Sequence, residues 1–191
     1  LNRTVKRAYN GKATPLEVQN LPKTTRAEAA PMNDPLFSMQ WNLENRGDMF
    51  REGELVKSVK DADVQCVEAW SKTTGSPEVI VAVLDEGIYV DHPDLKANMW
   101  VNPQEVNGSH EDNDGNGYAG DVYGYNFVHE TGKITWNDAW DSGHGSHVAG
   151  VIAAVNNNGE GISSIAGGDG RANTGVRVMA CQIFSGNMST G

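Results

Sequence analysis

The sequence predicts an α/β domain built on a mostly parallel sheet, and three segments carry that prediction. Val79-Ile-Val-Ala-Val-Leu84 and Val176-Arg-Val-Met-Ala-Cys-Gln-Ile-Phe184 are short, largely apolar runs rich in β-branched residues. Runs of this kind mark strands covered on both faces, which belong chiefly to parallel sheets. Between them, Gly143 to Val155 reads as a helix with Val148, Val151, Ile152 and Val155 on its inner side, stopped by Asn156-Asn-Asn-Gly159. The alternating run from Val122 to Val128 adds a further strand. The resulting order of elements implies three layers, a sheet with helices on both faces.

The upstream elements follow from local signals. Asp61 is placed to cap a helix over 61–70 that turns Val64, Val67 and Trp70 inward, and Gly75 supplies its stop. Phe37 to Leu43 reads as a strap packed onto the domain. Residues 1–33 contain Pro15, Pro22 and Pro31 and no periodicity, so they read as a linker or pro-segment tail. The boundary then falls near Asp34, with 34–191 as the folded unit.

Charge is unevenly placed along the 191 residues, whose formal net charge is −10. Twelve acidic residues between Asp85 and Asp141 stand against Lys96 and Lys133 alone, whereas residues 1–33 hold six bases and two acids. Binding to phosphate backbones requires clustered Lys and Arg, so the acidic stretch argues against nucleic acid and for cations as partners. No apolar run approaches the roughly 18 residues of a spanning helix, so no membrane span is expected. Leu1 is not followed by a charged-then-apolar leader, and no signal peptide is expected within the chain. Cys66 and Cys181 are too few for a disulfide framework and lack metal-ligand spacing, which leaves them as small buried side chains.

Two residues carry chemistry. Asp85 follows a strand directly in VAVLDEGIYVDHPDL, and in open α/β sheets ligands gather beyond the carboxyl ends of strands. His144 opens a helix in DSGHGSHVAG, where Gly143 and Gly145 leave its ring open to an approaching backbone. An aspartate can hold an imidazole in one tautomer while the imidazole moves a proton to and from a nucleophile. Each residue taken alone is also what a structural cap uses. A metal site on His144 and His147 is the weaker reading, because their spacing is i, i+3 and no Glu lies between them.

The acidic stretch has its own pattern. In Glu111-Asp-Asn-Asp-Gly-Asn-Gly-Tyr118, the oxygen-bearing Asp112, Asp114 and Asn116 alternate ahead of Gly117, and Asp121 follows. Short loops wrap calcium (Ca2+) with hard oxygen ligands in this way, although Tyr123 stands where a full EF-hand loop would end in Glu. The alternative is a solvated acidic turn.

VAVLDEGIYVDHPDL and HGSHVAG, in that order, resemble the Asp and His motifs of the subtilisin-like serine proteases, the subtilases. The similarity extends to NDPLFSMQWNL, to VEAW-SKTTGSPEVIVAVLD and to GVRVMACQIF, and so spans about residues 33 to 184. It implies the subtilisin-like three-layer fold, truncated on its C-terminal side. It also implies a serine endopeptidase acting on polypeptides, with Asp85 as triad carboxylate and His144 as general base. Asp94 of HPDL and Asn157 resemble structural calcium ligands of that family, with Gln40 as a further candidate. The sequence departs from the family pattern at Glu86, Tyr89 and Ser146.

The family's G-T-S-M-A serine motif and its oxyanion-hole Asn do not occur in these residues, so the chain alone is expected to be inactive. The Ser would then lie outside it, and the missing C-terminal half of the peptidase domain becomes an expected partner. A truncated sheet would also expose an apolar edge. Family membership further implies a secreted or cell-envelope protein. The rival expectation is a non-catalytic, calcium-stabilised binding or scaffold domain on the same fold.

Overall fold

The computed structural model describes residues 31–106 and 109–189. The expected linker or tail over 1–33 lies almost wholly outside the described residues. The elements in chain order are β1 (Asp48–Arg51), β2 (Glu54–Lys57), α1 (Cys66–Trp70), β3 (Ile80–Asp85), β4 (Gly124–Asn126), α2 (His144–Ala153), β5 (Arg177–Gln182), β6 (Phe184–Ser185) and β7 (Met188–Ser189).

The central sheet is parallel, as the apolar runs predict. β3 pairs with β5 in a register that sets Ile80 against Arg177 and Asp85 against Gln182. β4 pairs with the other side of β5, giving the order β3-β5-β4. β4 is only three residues long, shorter than the predicted run from Val122 to Val128. Val83 of β3 and Val178 and Ala180 of β5 face α2 and join Ile88, Leu95, Met99, Ala149, Ala153 and Val176 in the main core.

Two expectations about burial are corrected. β3 is not covered on both faces by the described residues, since Ile80 and Leu84 are 49% and 61% exposed. On α2 the predicted inner set included Val151, which is half exposed, and the buried positions are Gly145, Ala149, Gly150 and Ala153. The helix lies so close to the strand-end loop that a Cβ on Gly145 would run into the carbonyl oxygens of Glu86 and Gly87. Only the smallest side chains fit that interface, so the branched ones take the flanks.

The first helix is also shorter than predicted. α1 holds five residues, Val64 is 61% exposed, and the inward side chain is Cys66, with Trp70 packed against it. Asp63, rather than Asp61, ties down the preceding turn by accepting the N–H groups of Gln65 and Asn45. The strap is as predicted: Phe37 and Leu43 are buried with Met32 and Cys66 in a second core cluster, and Leu36 donates to the carbonyl of Gly161. β1 and β2 form a hairpin that no sequence signal announced, closed by Glu52 and Gly53, both at positive φ. Two successive residues at positive φ match the twist of antiparallel strands. Both cysteines are free, and burial pushes each thiol up.

Candidate active site

β3 ends on Asp85, and the chain then turns away from the sheet toward α2. Asp85 stays anchored to the neighbouring strand because Ile183 N donates to its carbonyl. Its carboxylate accepts the N–H of Glu86 and faces His144, whose Nδ1 lies 2.9 Å from Oδ1 and 2.8 Å from Oδ2. A carboxylate only accepts, so Nδ1 carries the proton and Nε2 of the neutral ring keeps its lone pair. The Asp85 side chain is 16% exposed and the His144 side chain 58%, so the pair is shielded on the aspartate side and open on the histidine side. Such a pair can draw a proton from a hydroxyl placed at Nε2 and return it to a leaving group.

The glycines beside His144 have different tasks. Gly143 sits at φ +76°, in the left-handed region, with open space where a Cβ would project. Gly145 is required by the close approach of α2 to Glu86 and Gly87. Ser146 departs from the family pattern but uses its hydroxyl to accept the Tyr89 N–H at 3.0 Å. The loop before His144 is held by polar ties as well. Gln182, fully buried, accepts the Thr135 N–H through Oε1 and donates to Thr135 Oγ1. Asp138 accepts the hydroxyls of Thr135 and Ser185, while Asp141 accepts the N–H groups of Asp138 and Gly186.

A family model, the subtilase family, matches residues 76–191. The chain belongs to the subtilase family. It is 46% identical over 136 residues to subtilisin-like protease 1 of Plasmodium berghei, covering 70% of this chain and 19% of that protein. It is 35% identical over 133 residues to a halolysin-like extracellular serine protease of Natrialba magadii, covering 70% and 18%. Among solved structures, the Aeromonas sobria serine protease, determined in complex with a chaperone, matches with a TM-score of 0.57 and 25% identity over 94% of this chain and 24% of that one. The subtilase chain thus spans about a fifth of the length of these curated relatives. The fold is the truncated α/β subtilase fold, and no helix among the described residues is long and apolar enough to cross a membrane.

The residues singled out as metal ligands fall in two places. In the acidic loop, Asp112 and Asp114 bring carboxylate oxygens within 4.8 Å of one another and of Glu105. Sequence reasoning passed over Glu105, which lies outside the alternating pattern. Glu105 is 9% exposed and accepts the N–H groups of Asn113, Asp114 and Gly120, so it orders the loop from beneath. Asp121 joins the cluster through Asn102 and Asn116, whose amides bridge it to Asp114.

Asp94 lies elsewhere, between β3 and β4 in sequence, where it is 4% exposed and faces the loop that follows α2. It accepts Asn158 Nδ2 at 2.8 Å and the Ile162 N–H at 3.0 Å. Burial pushes its carboxyl up to about 6, with Asp34 and Glu160 adding to the rise. Asn157 turns its amide oxygen to the Asn33 N–H, so the side chain at Asp94 is that of Asn158. Gln40 closes the same region by pairing both of its amide ends with the backbone of Ser163. Asp34 completes it, accepting the Asn157 and Asn158 N–H groups and the Ser163 hydroxyl.

Proposed function

We propose that the protein to which this chain belongs is a serine endopeptidase in which Asp85 orients His144 and His144 acts as general base. The single observation that carries the reading is the pairing of His144 Nδ1 with both carboxylate oxygens of Asp85 at the end of a parallel strand. His144 takes the proton of a serine hydroxyl supplied outside these 191 residues, the serine oxygen attacks the substrate carbonyl, and an acyl-enzyme forms. His144 then protonates the departing amine and activates the water that releases the acid. Residues 1–191 on their own hydrolyse nothing at the full rate. The relative from Natrialba magadii is extracellular by name, and the same address, secreted or cell envelope, is proposed here.

The test is labelling with a fluorophosphonate probe, which reports an activated serine. A protein containing this chain and a downstream serine motif should be labelled, and His144→Ala should abolish the labelling. A longer protein that folds but is not labelled would favour the scaffold reading.

Calcium is proposed as a structural ion. Glu105, Asp112 and Asp114, with Asp121 and Asn116, offer the hard oxygens that Ca2+ prefers, and the buried carboxylate of Asp94 offers a second place for such an ion. The donors fit the ion, because all are oxygens and the Asp94 carboxyl is buried without a neighbouring cation among the described side chains that bond it. When bound, Ca2+ would supply the charge that compensates buried carboxylates.

A further inference from the structure

Asp85 and Glu86 are successive residues, and both side chains end on the start of α2. Asp85 holds the ring of His144. Glu86 passes beneath it and is 3% exposed. Its Oε2 accepts the N–H groups of Ser142 at 2.9 Å, Gly143 at 3.0 Å and His144 itself at 3.3 Å. Its Oε1 accepts the Ser142 hydroxyl at 2.9 Å. The helix has no cap of its own, because Gly143 occupies the N-cap position and has no side chain. The N–H groups that a helix leaves without intrahelical partners are therefore taken by a residue brought in from the strand end.

We propose that Glu86 is a positioning residue for the base, fixing the backbone of His144 while Asp85 fixes its ring. This rests on the endopeptidase reading given above. The need for such a device follows from the exposure of His144. A side chain more than half open to solvent is not located by packing, so polar ties must locate it. The bond to Asp85 constrains one edge of the ring but leaves the start of the helix free to shift, and a shift there carries the ring with it. A carboxylate under the first N–H groups of α2 removes that freedom, since charged acceptors make the stronger hydrogen bonds and the positive end of the helix favours a negative group. The main chain of Glu86 adds to the grip, because Gly145 packs against its carbonyl oxygen. Glu86, one of the departures from the family pattern, thus acts on the Asp85–His144 pair without touching the substrate.

The test uses two readouts of Glu86→Gln, which keeps the shape but turns an amide N–H2 toward backbone donors. In the 191-residue chain, ring-nitrogen NMR of His144 at alkaline pH reports which nitrogen carries the proton. The wild type should show a single Nδ1–H tautomer, and Glu86→Gln should show a mixture. In the longer serine-containing protein, kcat should fall about tenfold to a hundredfold, with KM within about twofold, well below the melting temperature. If Glu86→Gln fails to fold, Glu86→Asp, with the charge kept and the reach shortened, should show the same changes at smaller size. A lower melting temperature with an unchanged tautomer and unchanged kcat in the folded variants would overturn the proposal and leave Glu86 a structural cap. A tautomer change in Glu86→Gln, together with no labelling of the wild-type longer protein, would sustain the positioning role and sink the endopeptidase reading.

Discussion

Asp85 and His144, 59 positions apart in the chain, meet with both carboxylate oxygens within 2.9 Å of one ring nitrogen. The contact depends on two elements arriving correctly. β3 must end at Asp85, which the pairing with β5 enforces, and α2 must start at His144, which the ties of Ser142 and Gly143 to Glu86 enforce.

Replacing Asp85 by Asn keeps the shape but allows the wrong ring tautomer. In the longer serine-containing protein, fluorophosphonate labelling of Asp85→Asn should slow by about four orders of magnitude, the size typical of amide replacement in such a triad. The melting temperature should move far less than the rate.

Gly145→Ala should destabilise the fold by about 1–3 kcal/mol, because the new methyl meets the carbonyl oxygens of Glu86 and Gly87. Urea unfolding of the chain reads this directly. A midpoint equal to that of the wild type would show that the helix can move away from the strand-end loop at no cost.

Phe37 is 1% exposed and packs with Leu43, Cys66 and Trp70 in the cluster under the strap. Phe37→Ala should lower the stability of the chain by about 3–5 kcal/mol. The strap would then detach, and proteolysis should cut first between residues 31 and 45.

Asp94 sets a pH dependence. Its folded carboxyl, raised by burial to about 6 from an ordinary aspartate's 3.8, binds its proton more tightly than the unfolded chain does. The contribution of this residue to stability therefore rises as pH falls through 6 toward 4, by about 3 kcal/mol at most. With chelator present, Asp94→Asn should be more stable than the wild type at pH 7 and equal to it near pH 4. Saturating Ca2+ should reverse the order at pH 7. Melting curves across that range check both arms.

Calcium binding to the acidic loop should raise the melting temperature, since a ligand at a hundred times its Kd adds about 2.7 kcal/mol to the stability of the state that binds it. Glu105→Gln should reduce that rise, as should Asp114→Asn. An identical melting temperature with Ca2+ and with chelator would remove the calcium proposal.

Much of the site was legible because it is written in local sequence. An Asp at the end of a β-branched run and a His between two glycines need no tertiary information, and the structure brings them together. What the sequence hid depends on distance in space. Glu105 stands seven positions before Asp112, outside any alternating pattern, and joins the loop only because the backbone folds over it. Asn157, at φ +59°, turns its amide oxygen to the Asn33 N–H, and the side chain hydrogen-bonded to Asp94 is that of Asn158, a division no local pattern announces. The exposed face of β3 escaped because a run of Ile, Val and Leu looks the same whether or not a second layer covers it. Val151 was misplaced because hydrophobic periodicity ranks side chains by apolarity, while a close helix-to-strand approach selects them by size.

The strand order carries a consequence for how the chain folds. β5 is the last of the three central strands in sequence and the middle one in space, so among the described residues β3 and β4 have no partner in that sheet until it arrives. Ile80 waits for Arg177 and Asp85 for Gln182. Closure across so long a separation carries a high loop entropy and a slow rate. On the ribosome the sheet cannot assemble before residue 182 has left the exit tunnel. Until then β3 presents Ile80 and Leu84 with no strand beside it, which makes early synthesis the interval in which aggregation and chaperone capture compete with folding.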